Sequence, residues 1–240
     1  ASVTVRVDPA YYVWQPFACR LRQFHGEEAR ACLDGKTVMF RGDSHSRQLF
    51  SATTMDACPS GGEASVEQGS SILRTEMGVH VYYFNSSKCG MDLSGVCHLG
   101  DRLGECKKIM PIRDLIVTNF GLHNMLKMWT FEDYSRALDT IVADASDGWT
   151  GRFAWHEINA VAHRKDVWTL SKGQPQTNIK IALFNAKAAQ RFKALGHPII
   201  PAFAQTLALT QSTRDVSHYD YQVLQQSTMQ FVLGLLCPSG

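Results

Sequence analysis

A chain of 240 residues that is 45% hydrophobic and 19% charged has the length and composition of one globular domain with a sizeable core. A formal net charge of +2, a pI near 8.2 and no Lys/Arg run interleaved with aromatics give no reason to expect a nucleic-acid partner. No apolar stretch approaches the roughly 20 residues that cross a bilayer, and no signal-peptide pattern opens the sequence. No membrane contact is therefore expected within it, and any targeting or anchoring segment is removed or lies outside it.

Val3, Val5 and Val7 alternate with polar neighbours, as in an edge strand or a tail. Trp14, Pro16 and Cys19 predict an aromatic-anchored loop, so residues 1–35 read as an N-terminal extension packed on a single domain spanning 1–240. The apolar run Val38-Met39-Phe40 predicts a buried strand that stops at Gly42-Asp43-Ser44, followed by a helix to about Ala57 with Leu49, Phe50 and Thr53 on one face. This layout puts the Ser44 hydroxyl at the carboxyl end of a strand, where open α/β sheets bind ligands and helix amides stabilise negative charge. Ser44 is a candidate nucleophile; the alternative is a turn with Ser44 as helix N-cap.

Pro59 to Ser71 reads as a surface loop, and Val79 to Phe84 as a second strand with His80 a structural polar residue. Residues 85–108 carry turn residues and three cysteines, which predicts a disulfide-held excursion. It opens on the glycosylation sequon Asn85-Ser86-Ser87. The seven cysteines, Cys19, Cys32, Cys58, Cys89, Cys97, Cys106 and Cys237, contain no Cys-x-x-Cys, so disulfides fit better than structural zinc. The odd number leaves at least one unpaired within the chain, and spacing does not give the connectivity. Sequon and cysteines point to a secretory or lumenal compartment; buried thiols in a reduced cytosolic protein are the alternative.

Leu115 to Thr118 predicts a third strand, ending in Asn119-Phe120-Gly121-Leu122-His123-Asn124. In a doubly wound sheet this loop lies beside the nucleophile loop, which makes Asn119, Gly121, His123 and Asn124 candidate oxyanion or substrate residues, or else an ordinary turn. Tyr134, Ala137, Leu138, Ile141, Val142 and Ala145 fall at helical spacing, with Thr130 and Asp133 placed to cap the helix. Arg152 to Ile158 reads as a fourth strand, and His156 within it and His163 in the polar loop after it either meet substrate or are structural. Ile179 to Phe184 reads as a fifth strand, before a helix from Ala186 to Leu195 that stops at Gly196, ahead of Pro198. Strands alternating with helices predict a mainly parallel sheet with right-handed crossovers.

Arg214-Asp215-Val216-Ser217-His218-Tyr219-Asp220 is the second chemical constellation. An acid three residues before a histidine can hold the imidazole tautomer while the ring faces a serine, the division of labour in a hydrolytic triad. A last helix follows, with Leu224, Thr228, Phe231, Val232 and Leu235 able to pack on the sheet. Neither Gly-x-Gly-x-x-Gly nor a P-loop is present, and no second ligand cluster accompanies Asp215 and His218, so neither a bound cofactor nor a metal is expected.

Trp14-x-Pro16-x-x-Cys19-x-Leu21-x-x-Phe24, then Cys32-Leu33-x-Gly35-Lys36-x-Val38-x-Phe40-x-Gly42-Asp43-Ser44-x-x-Arg47, resembles the PC-esterase family. That family includes the plant trichome-birefringence-like polysaccharide O-acetyltransferases. Sialic-acid O-acetyltransferases and the neurexophilin-and-PC-esterase proteins are relatives, and all share the wider SGNH (GDSL) hydrolase fold. The resemblance is dense over residues 12–50 and returns near the carboxyl terminus, where SGNH proteins carry an acid and base as Asp215 and His218 stand here. It implies a three-layer α/β/α sandwich around a mainly parallel five-stranded sheet. It further implies a Ser44-His218-Asp215 triad. Arg47, one helical turn after Ser44, either orients the acid, the loop or the substrate or makes a helix-surface ion pair, and Asp43 is placed to fix the nucleophile turn. Asn119, Gly121 and His123 match the family's oxyanion loop in part; the superfamily's fuller Gly-x-Asn-Asp block is absent.

The implied activity is acyl transfer through acetyl-Ser44 to a sugar hydroxyl: a glycan O-acetyltransferase that needs an acetyl donor, in the Golgi lumen or outside the cell. Two alternatives are a carbohydrate acetylesterase, in which water takes the acetyl group, and a catalytically silent glycan-binding module.

Overall fold

Strand residues of this chain alternate between two apolar surfaces, and that alternation builds the core. The computed structural model describes residues 21–57, 80–85, 114–146, 151–162 and 176–238. Its strands are β1 (Thr37–Gly42), β2 (His80–Asn85), β3 (Leu115–Thr118), β4 (Arg152–His156) and β5 (Ile199–Ile200). They lie in the order β2-β1-β3-β4-β5; β1, β3, β4 and β5 are parallel and β2 is antiparallel at the edge.

The helices are α1 (Gly26–Leu33), α2 (Ser44–Ala57), α3 (Leu122–Leu126), α4 (Phe131–Ser146), α5 (Asn178–Ala194), α6 (Ala202–Leu207), α7 (Tyr221–Gln226) and α8 (Thr228–Leu236). Met39, Ile116, Phe153 and Trp155 point to one face of the sheet, where Tyr134, Leu138 and Ile141 of α4 and Ile181, Phe184, Ala188 and Phe192 of α5 cover them. Val38, Phe40, Leu115, Val117 and Ala154 point to the other, against Leu33 of α1, Leu49 and Phe50 of α2 and Met229, Val232 and Leu233 of α8. The result is an α/β/α arrangement around the four parallel strands, with apolar faces buried in both outer layers.

The helix over 131–146 forms where predicted, and Thr130 and Asp133 cap it reciprocally: Asp133 N–H donates to Thr130 Oγ1 at 3.1 Å and Thr130 N–H to Asp133 Oδ2 at 3.0 Å. One expectation fails. Residues 179–184 are the start of α5, not a strand. Ile179, Ile181 and Leu183 imitate strand alternation, but Ile179 and Leu183 lie on the exposed side, while Ile181, Phe184, Ala188 and Phe192 supply the buried helical stripe. Thr177 starts the helix by accepting the Lys180 N–H at 3.1 Å. The fifth strand is instead the two residues Ile199 and Ile200, after the helix stops at Gly196, whose φ of +75° suits glycine.

Cys32 and Cys237 form a disulfide between α1 and the end of α8, across 205 residues of sequence. Trp14 and the rest of residues 1–20 lie outside the described residues, as do Cys19, Cys58, Cys89, Cys97 and Cys106. Closing so long a loop lowers the entropy of the unfolded chain, so Cys32→Ala/Cys237→Ala is expected to lose about 3 to 5 kcal/mol in urea unfolding. An unchanged midpoint would mean that closing this loop adds nothing to the stability of the fold.

Candidate functional site

The site begins where β1 stops. Gly42 cannot carry a side chain, because a Cβ would stand 2.2 Å from Ser46 Oγ and 2.3 Å from the Asn119 carbonyl oxygen. The exits of β1 and β3 therefore lie against each other, tied by Asn119 N–H to Arg41 O at 2.8 Å. The chain adds β2 on one side of β1 and β3 on the other, and such a switch point opens a crevice at the carboxyl edge of the sheet. Ser44, the first residue of α2, stands there half-buried. Buried Asp43 holds the turn: its Oδ1 accepts the His45 N–H at 3.0 Å and its carbonyl accepts the Arg47 N–H at 3.3 Å.

From β3 comes His123, the second residue of α3. Its Nε2 is 3.4 Å from Ser44 Oγ, a long contact for a hydrogen bond. Gly121 precedes it at φ +133°, where a Cβ would also meet Ile158 Cδ1 at 2.7 Å; only glycine turns the chain there and lets α3 present His123. Asn119 is turned inward instead. Its side-chain N–H donates to His156 O at 2.9 Å, a bond between β3 and β4, and the residue is fully buried. Asn124 is also buried, whereas Arg47 is exposed and makes no ion pair among the described residues.

The third part is a turn closed by a bridge between Thr213 and Tyr219 and by Arg214 N–H to His218 O at 2.7 Å. Asp215 organises its interior. Oδ1 accepts the N–H groups of Ser217 and His218 at 2.7 and 2.8 Å, and Oδ2 is 2.6 Å from His218 Nδ1. Partial burial opposes ionisation of Asp215, yet the Ser217 N–H, the imidazole and the His218 N–H together hold its pKa below the usual carboxylate range. An acceptor at Nδ1 places the neutral ring's hydrogen on that nitrogen and the lone pair on Nε2. That Nε2 is buried and has no hydrogen-bond partner among the described residues.

The structure thus brings Asp215 and His218 together and sets Ser44 against His123; it makes no hydrogen bond between Ser44 and His218. Nucleophile and base contacts often tighten only when substrate binds.

Two groups at the site escaped the sequence reading. His45 Nε2 is 3.0 Å from Ser217 O, and Gln48 Nε2 donates to Tyr219 O at 2.7 Å. Their signal was slight: polar residues three apart on the face of α2 that carries Leu49 and Phe50 inward. The His45 and His218 rings are 6.1 Å apart, edge to face. Burial depresses the His45 pKa; Asp43 opposes that, and His218 and His123 reinforce it. His156, one of two alternatives for meeting substrate, is 1% exposed and lies beneath the crevice; burial pushes its pKa down to about 3. His163 lies outside the described residues, and Asn85 is the last residue of β2.

Fold and site define an α/β protein whose sheet edge gathers a serine, an acid-oriented histidine and a second histidine on the serine. Over 38 residues, 16% of this chain, the sequence is 50% identical to the N-acetylneuraminate (7)9-O-acetyltransferase of Danio rerio, and the match spans 5% of that protein's length. No family model and no solved structure matches the chain.

Proposed function

We propose that this chain is a glycan O-acetyltransferase of the PC-esterase kind, acting through Ser44, His218 and Asp215 as one catalytic domain. The observation that carries the reading is His218: its Nδ1 is engaged by Asp215 at 2.6 Å and its Nε2 is buried without a partner among the described residues. A ring so held is a general base awaiting a proton donor. The partial likeness to a sialic-acid O-acetyltransferase supports the acetyl group and the carbohydrate acceptor.

In this mechanism His218 Nε2 removes the Ser44 proton as Oγ attacks the acetyl carbonyl carbon. The Ser44 amide and donors of the Gly121 loop face the oxyanion, and Nε2 of His218 returns its proton to the departing oxygen, leaving acetyl-Ser44. A sugar hydroxyl then loses its proton to the same nitrogen and attacks the acetyl carbon, and Ser44 leaves reprotonated. No bound cofactor enters these steps; a diffusible acetyl donor does. The Cys32–Cys237 bond fits an oxidising lumen, Golgi or extracellular.

The test is intact mass after incubation with a chromogenic acetyl ester, for the parent and Ser44→Ala, with and without oligosaccharides. One added acetyl group on the parent alone, lost faster to a sugar than to water, is the expected result. Acetate release indifferent to every sugar would make the chain an esterase. Equal acylation of Ser44→Ala, or none of the parent, would remove the nucleophile and leave a glycan-binding module.

A further inference from the structure

We propose that His45 and Gln48 are positioning residues that fix the distance between Ser44 and His218 by tying the peptide groups on either side of His218 to the helix that carries Ser44. The idea deepens the acyl-transfer reading and rests on it for its kinetic consequence. The geometry stands by itself.

Residues 45 and 48 follow Ser44 by one and four positions on α2, and being three apart they lie on one face of it. His45 Nε2 reaches the carbonyl of Ser217, and Gln48 Nε2 reaches the carbonyl of Tyr219. Because a carbonyl only accepts, His45 carries its hydrogen on Nε2. The two donors therefore straddle His218 from one rigid element. Any shift of α2 moves Ser44 and both tethers together, so the spacing of nucleophile and base survives motion of the helix against the sheet.

Stability alone does not account for these side chains. Both are buried, and each leaves a polar atom without a partner among the described residues, His45 Nδ1 and Gln48 Oε1. Burying an unsatisfied polar atom is unfavourable, and an apolar pair would avoid it. What the apolar pair would lack is a donor toward the two carbonyls. Other ties of the turn, Ala162 N–H to Val216 O and the Tyr219 hydroxyl to Ala160 O and Thr206 O at 3.0 and 2.9 Å, run to the segment after β4 and to α6. Those bonds seat the turn there; His45 and Gln48 register it against Ser44.

Two readouts are needed, one of them independent of turnover. By hydrogen exchange, His45→Leu and Gln48→Leu are expected to exchange the amides of residues 213–220 about 10-fold faster than the parent, with β3 and β4 still protected. His45→Gln, whose amide nitrogen has the reach of Nε2, keeps parental exchange. With 4-nitrophenyl acetate, kcat falls about 10²-fold in the leucine variants at unchanged KM and recovers to within about fivefold in His45→Gln. Parental exchange in both leucine variants overturns the proposal, and so does faster exchange with undiminished kcat. If His45→Leu unfolds, Gln48→Leu is read by the same criteria. If the parent turns over no ester, the acyl-transfer reading fails by itself, and exchange in 213–220 still upholds or removes the tether.

Discussion

Ser44→Ala, His218→Ala and the doubly substituted chain are expected to turn over an acetyl ester at one common residual rate, each about 10⁴-fold or more below the parent. The equality matters more than the size. If His218 serves only to take the Ser44 proton, then without Ser44 it has nothing to do, and removing both loses no more than removing either. Asp215→Asn is expected to fall less far, by about 10² to 10⁴-fold, because its damage passes through the ring. An asparagine can still approach Nδ1, but it can present its amide hydrogens there and turn the ring's own hydrogen onto Nε2, where a base needs a lone pair. The bond at 2.6 Å makes this a sharp test. Additive losses in the double variant would mean that Ser44 and His218 act separately, and His123, 3.4 Å from the hydroxyl, would then be the base to examine.

The second large effect concerns stability in acid. His156 sits at the end of β4, 1% exposed, with neither ring nitrogen hydrogen-bonded among the described residues. Desolvation lowers its pKa from 6.5 to about 3, with nearby His45 adding to the shift and Asp43 opposing it. The unfolded chain takes up this proton below about pH 6.5, whereas the native state refuses it until about pH 3. Between those values the unfolded state binds more protons, so native stability falls as the pH falls, by at most about 1.4 kcal/mol per unit. Above pH 7 the term vanishes. Comparing urea unfolding at pH 7.5 and 4.5, the parent is expected to lose about 2 to 3 kcal/mol more than His156→Leu. Equal losses in the two chains would show that His156 is charged, or solvated, in the native state.

How much of this was legible in the sequence follows from the range of the interactions. Gly42-Asp43-Ser44 and Asp215-x-x-His218 are local: the acid and imidazole are three residues apart, and the turn that joins them is closed by their own backbone. The strands β1, β3 and β4 were legible because they are buried on both faces, which leaves short unbroken apolar runs. Residues 179–184 misled because two exposed apolar residues fill in the helical pattern until it resembles a strand. β5 was missed because two residues carry no period.

The contacts that assemble the site are of another kind. His45 meets Ser217 across 172 positions and Ser44 meets His123 across 79, and neither pairing leaves a mark on its own neighbourhood. Asn119 shows the same limit from the other side. Its place after β3 suggests an oxyanion donor, and only the fold reveals that its side-chain amide donates to His156 O at the end of β4.

The Cys32–Cys237 bond has a topological consequence. Ser44 and His218 both lie inside the loop that it closes. A single peptide bond cut between Ser44 and His218 would open that ring without dividing the molecule: the piece bearing the serine and the piece bearing the imidazole would stay joined. A nicked chain would run as one band without reductant and as two with it. The crevice would then outlast proteolysis for as long as its surroundings remain oxidising.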